Sequence, residues 1–93
     1  MFNNTENKSI WNNGKFVKWD ESLVHLMSHT LNYGTGAFEG VRAYKTSNGP
    51  AIFRLNDHTD RLFNTAKKID IDIPFSKQAL NNVQKEIFIK NNL

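Results

Sequence analysis

Between Tyr33 and Arg42 the chain reads Y-G-T-G-A-F-E-G-V-R. Three of its five glycines fall there, interleaved with two aromatics, a carboxylate and an arginine. Glycine is favoured where the backbone turns tightly or a ligand comes close. Arginine presents a planar fork of donors that matches carboxylates and phosphates. Arginine is scarce here, three against nine lysines, and two of the three, Arg42 and Arg61, sit in segments composed like a site. Arg61 follows Asp57-His58-Thr59-Asp60 and precedes Leu62-Phe63. Half-buried at the edge of an apolar helix face, it needs an anion. Its own sequence neighbourhood offers two readings: an ion pair with Asp57 or Asp60, or the phosphate of a ligand.

Other chemistries fit less well. His25 and His29 are four apart, a metal-ligand spacing, but no third ligand is near and H-E-x-x-H is absent. Packing and capping roles are expected for them, and no metal site. The Tyr33 segment is no dinucleotide fingerprint, because G-x-G-x-x-G would need glycine at position 39, which is Glu39. A P-loop and a G-x-S-x-G elbow are also missing. Asp70 and Asp72 point the same way in an extended connector beside Pro74, facing solvent.

The elements that must position these residues are short. Ser9 to Trp19 reads as a hairpin turning at Asn13-Gly14, the preferred pair for a type I′ turn. Leu23 to Met27 is an extended apolar stretch. Ser28 caps one or two helical turns that run to Tyr33 and stop at Gly34. Phe38 to Tyr44 reads as a strand, with Phe38, Gly40, Arg42 and Tyr44 on one face and Glu39, Val41 and Ala43 on the other. After a turn at Ser47-Asn48-Gly49, Pro50 to Arg54 returns. Asn56 or Asp57 caps a helix to about Ile69, with Leu62, Phe63, Ala66 and Ile69 as its apolar stripe. Ser76 caps a second helix, Lys77 to about Lys90, burying Leu80, Val83 and Ile87. Two hairpins and two helices define an α+β class.

The 93 residues make one domain or part of one. Residues 1–8 are polar and read as a flexible N-terminus, with the domain spanning 9–93. The net charge is +3, with lysines scattered from Lys8 to Lys90 rather than clustered. A solvated surface therefore fits better than a nucleic-acid platform, and Trp11, Trp19 and Phe16 form no basic-aromatic stripe. No apolar run approaches the roughly 18 residues that span a membrane. The absence of cysteine excludes disulfides and fits a reducing compartment, so a cytoplasmic location is expected.

Taken together, the segments resemble the branched-chain amino-acid aminotransferases, pyridoxal-phosphate enzymes of fold type IV. W-N-N-G-K-F-V-K-W is similar to their opening hairpin. V-H-L-M-S-H-T-L-N-Y-G-T-G-A-F-E-G-V-R-A-Y is similar to their substrate-side loop and strand. G-P-A-I-F-R-L-N-D-H-T-D-R-L-F-N-T-A-K is similar to their second strand and cofactor-anchoring helix. The resemblance runs from about Ile10 to the C-terminus and implies the family's small N-terminal domain. It implies that Arg61 anchors the phosphate of pyridoxal 5'-phosphate, in place of the ion pair. It places Phe38, Gly40 and Arg42 on the strand lining the substrate pocket, and Tyr33 where family dimers reach the neighbouring subunit's pocket. The implied reaction is transamination of leucine, isoleucine and valine with glutamate and 2-oxoglutarate, in a homo-oligomer.

The family's Schiff-base lysine lies in a second, C-terminal domain, and none of the nine lysines here matches it; Lys67 and Lys68 are helix-surface residues. The expectation is a chain that is inactive alone, with no catalytic residue of its own and an exposed apolar patch for a missing domain or a complementary C-terminal chain. The alternative is a non-catalytic module of the same fold that docks a partner subunit.

Overall fold

A computed structural model describes Thr5 and residues 7–93. Strands β1 (Ser9–Asn12) and β2 (Lys15–Lys18) pair antiparallel, with Ser9 opposite Lys18 and Asn12 opposite Lys15. The two turn residues between them, Asn13 at φ 51° and Gly14 at φ 101°, both take the positive φ that a type I′ turn demands. The turn rests beside Phe75, whose ring meets Trp11 of β1 edge-on at 4.8 Å between centroids. Helix α1 (His29–Tyr33) is short and ends at Gly34, which is left-handed at φ 70° and returns its amide to the Thr30 carbonyl at 2.9 Å. Strands β3 (Ala43–Thr46) and β4 (Gly49–Ile52) form the second hairpin, followed by α2 (Leu55–Lys68) and α3 (Lys77–Lys90). The α+β class holds, built on two separate two-stranded sheets.

Three local expectations are corrected. The ladder covers only Ala43–Thr46, not Phe38 to Tyr44, because no strand lies beside residues 38–42 among the described residues. The period-two alternation nevertheless persists: Phe38, Gly40, Arg42 and Tyr44 are exposed, while Glu39, Val41 and Ala43 are turned inward. Helix α2 starts earlier than Asn56 or Asp57; Arg54, left-handed at φ 52°, occupies the cap position and its Nε donates to Asp57 Oδ2 at 2.7 Å. Ser28 does precede α1, but its side chain makes no capping bond; Asn32 Nδ2 instead ties the turn to the carbonyls of Leu26 and Ser28 at 2.9 and 3.0 Å.

The expected flexibility of residues 1–8 falls partly on residues 1–4 and 6, which lie outside the described residues. Lys8 is attached: its carbonyl accepts the Trp19 amide at 3.1 Å. Helix α3 spans the expected Lys77–Lys90, and the Ser76 hydroxyl accepts the Ala79 amide at 3.0 Å.

The core is thin. Among the described residues only Leu55 and Ala66 are buried apolar side chains, and Leu62, Phe63, Leu80, Val83 and Ile87 are partly covered. Leu23, Val24, Leu26 and Met27 stand in solvent together. The radius of gyration is 14.6 Å, against about 12 Å for a compact domain of this length. Polar side chains do part of the joining, through Asn81 between the two long helices and Asn91 between α3 and β1. No helix among the described residues is long and apolar enough to cross a membrane.

Candidate functional site

The extended segment before β3 lies beside α2, where Glu39 meets His58 and Arg61. A β-like backbone sends alternate side chains to opposite faces, so one row of this segment faces the helix and the other faces solvent. Glu39 belongs to the inner row, and only 8% of its side chain is exposed. Its Oε2 accepts Arg61 Nε at 2.8 Å, and its Oε1 accepts both Arg61 Nη2 and His58 Nδ1, the latter at 2.8 Å. His58 and Arg61 are three apart on α2, so one helix face presents both to the same carboxylate.

The electrostatics follow from these bonds. Hydrogen bonds from Arg61 and then His58 hold the Glu39 carboxyl down at about 2. The same contact pushes Arg61 above its ordinary value. A carboxylate so acidic carries no proton at neutral pH, so the proton in the His58–Glu39 bond sits on His58 Nδ1. When His58 is neutral, its Nε2 is therefore the bare nitrogen.

Arg61 is corrected on two counts as an isolated residue. Its side chain is 67% exposed rather than half-buried, and its ion-pair partner is Glu39 rather than Asp57 or Asp60. Asp57 pairs with Arg54, and Asp60 with Lys77. Glu39 was missed because it lies 22 residues away and carries no spacing signal. With Nε and Nη2 engaged, Nη1 has no partner among the described residues. A cleft of about 310 Å³ is lined by Phe53, Arg54, Asp57, His58 and Arg61. An exposed guanidinium with one free amino group, beside a cleft holding a second arginine, suits a phosphate monoester.

The outer row holds Phe38, Gly40 and Arg42. Phe38 is 89% exposed, and a side chain at Gly40 would meet nothing within 4 Å. Arg42 is exposed, with its carbonyl held by the Phe53 amide at 2.9 Å. Tyr33 is 74% exposed and leans on His29, with centroids 4.7 Å apart. The structure thus groups Phe38, Gly40 and Arg42 on one edge, with Tyr33 at the end of α1. His25 Nδ1 accepts the Met27 amide at 2.9 Å, so the histidine pair serves turn and ring contacts. No cluster of three or more His, Asp or Glu among the described residues is arranged to hold a metal.

No protein-family model matches this chain. The branched-chain-amino-acid aminotransferase of Pseudomonas aeruginosa is 48% identical over 84 residues, which are 90% of this chain and 27% of that protein. The fold superposes with a TM-score of 0.90 and 45% identity on the T.th. branched-chain amino acid aminotransferase complexed with N-(5'-phosphopyridoxyl)-L-glutamate, covering 92% of this chain and 29% of that one. The same T.th. enzyme complexed with 4-methylvaleric acid gives a TM-score of 0.90 at 45% identity, covering 94% and 29%. By sequence and by fold, the chain is a homologue of the branched-chain-amino-acid aminotransferases. It spans about a quarter of the length of the curated aminotransferases it matches. What it shares with them is the small α+β domain of fold type IV.

Proposed function

We propose that this chain forms one wall of a pyridoxal-phosphate site for transamination between leucine, isoleucine or valine and 2-oxoglutarate. The observation that carries this reading is the exposed row Phe38, Gly40 and Arg42 on the same segment whose Glu39 meets an exposed Arg61, in a fold that matches an aminotransferase complexed with a phosphopyridoxyl glutamate. Pyridoxal phosphate, when bound, supplies the electron sink that lets an amino group change carbon. Arg61 holds its phosphate. Phe38 gives an apolar wall, and Gly40 leaves space for a branched aliphatic side chain. Arg42 meets the carboxylate of glutamate or 2-oxoglutarate. Tyr33 reaches a neighbouring subunit in a homo-oligomer.

The reactive amine comes from outside this chain. Eight of its nine lysines are exposed and Lys8 is only partly covered, whereas a lysine nucleophile needs desolvation or a cationic neighbour to lose its proton. One arginine–phosphate contact is worth roughly 1.5–3 kcal/mol, against an association cost of roughly 4–15 kcal/mol. The 93-residue chain should therefore bind the cofactor no better than about millimolar. The exposed Leu23–Met27 stretch favours one second reading, a non-catalytic module that docks a partner subunit through that surface.

The test replaces the matching 84 residues of the Pseudomonas aeruginosa enzyme with those of this chain. Valine should be converted to its 2-oxo acid by the chimera and not by the 93-residue chain alone. Conversion by the chain alone would remove the external amine. A folded, inactive chimera would leave the docking module.

A further inference from the structure

Arg61 is not held by the acids on its own helix. The carboxylate that takes it belongs to the extended segment carrying the substrate-facing row, one residue from Phe38 and three from Arg42. That pairing has a cost for an anion site, since Glu39 cancels the charge of the arginine that would attract a phosphate. A negative group beside an anion anchor is useful only if it contributes geometry worth more than the attraction it removes. The geometry here has that character. Both Glu39 oxygens grip one edge of the guanidinium, through Nε and Nη2, leaving Nη1. A two-point fork fixes the plane of the group, whereas an unpaired exposed arginine samples many rotamers. His58 then fixes the carboxylate from the side, with Nδ1 on Oε1 at 2.8 Å.

We propose that Glu39 is a positioning residue, braced by His58, that locks the Nε/Nη2 edge of Arg61 so that Nη1 is presented ready-oriented to the cofactor phosphate. This rests on the reading that Arg61 receives that phosphate. It also couples the two halves of the site, because the segment that orients the anchor carries Phe38, Gly40 and Arg42 on its other face.

The test uses the full chain labelled with ¹⁵N, titrated with pyridoxamine 5'-phosphate, an amine that cannot condense with surface lysines. In the unsubstituted chain, the Arg61 Nε–H signal should be hydrogen-bonded and slow to exchange, and should persist as ligand is added. Its loss on addition would make Glu39 a competitor for the arginine and overturn the proposal. Glu39→Gln, although it adds net positive charge, should weaken binding about 3- to 10-fold; unchanged or tighter binding overturns the proposal. His58→Ala should weaken binding in the same direction by a smaller factor, and unchanged affinity removes the brace. Arg61→Ala separates the two levels of argument. If Arg61→Ala leaves affinity unchanged, the phosphate reading itself fails; if it weakens binding while Glu39→Gln does not, only the positioning role fails.

Discussion

The side chain of Asn91 clasps the backbone of Ser9 from the far end of the chain. Its Oδ1 accepts the Ser9 amide at 2.7 Å, and its Nδ2 donates to the Ser9 carbonyl at 3.0 Å. A primary amide offers a donor and an acceptor side by side, so it satisfies one residue of a strand edge much as a neighbouring strand would. The clasp joins the end of α3 to β1 and closes the fold where apolar burial is slight.

Asn91→Ala would remove both bonds and leave the Ser9 groups poorly satisfied. Asn91 is a buried residue, so the loss should fall in the range of about 1–3 kcal/mol. For a domain of this size that is a drop in Tm of roughly 4–8 °C for each kcal/mol. Thermal unfolding followed by circular dichroism measures it, and a Tm unchanged within error would show that the clasp contributes nothing in solution.

The contact between the long helices has a similar polar centre. Thr59 Oγ1 donates to Asn81 Oδ1 at 2.5 Å, and Asn81 Nδ2 donates to Asn56 Oδ1 at 2.8 Å. Thr59→Val keeps the shape and removes the donor, leaving a buried amide oxygen unpaired, at a cost of about 1–3 kcal/mol. In an Asn81→Ala background the same substitution should cost far less, because its partner is already gone. A double-mutant cycle from denaturant unfolding reads the coupling, expected at about 0.5–3 kcal/mol. Simple additivity would mean that the Thr59–Asn81 bond does not couple the two helices in solution.

What the sequence made legible divides by distance along the chain. The Asn13-Gly14 turn, the Gly34 stop and the Ser76 cap each depend on the conformational preference or hydrogen-bonding reach of one or two adjacent residues, and each is observed. The left-handed cap at Arg54 had no signal, since arginine is not a residue that favours positive φ. Residues 38–42 showed the alternation of a strand but nothing of whether another strand lies beside them. The Glu39–Arg61 pair was the largest omission, because it depends on how an extended segment lies over a helix 22 residues later. The types in the candidate site were readable as an anion site; which carboxylate would meet Arg61 was not.

Glu39 also sets a pH dependence whose sign is fixed. Its carboxyl is lowered from 4.5 to about 2 by Arg61 and His58, so the folded chain binds the proton less readily than the unfolded one. A group depressed in this way stabilises the fold fully above its unfolded value and loses that contribution as pH falls through its folded value. Stability should thus decline between about pH 4.5 and 2 in part because this ion pair is being protonated. The Arg61 side chain is 67% exposed, so solvent screens part of the effect. Glu39→Gln should flatten the slope of stability against pH within that window. Urea unfolding of parent and variant at a series of pH values measures it. A Glu39→Gln chain with the same acid slope as the parent would mean that the Glu39 carboxyl titrates alike in the folded and unfolded states, and that the bridge to Arg61 does not persist in solution.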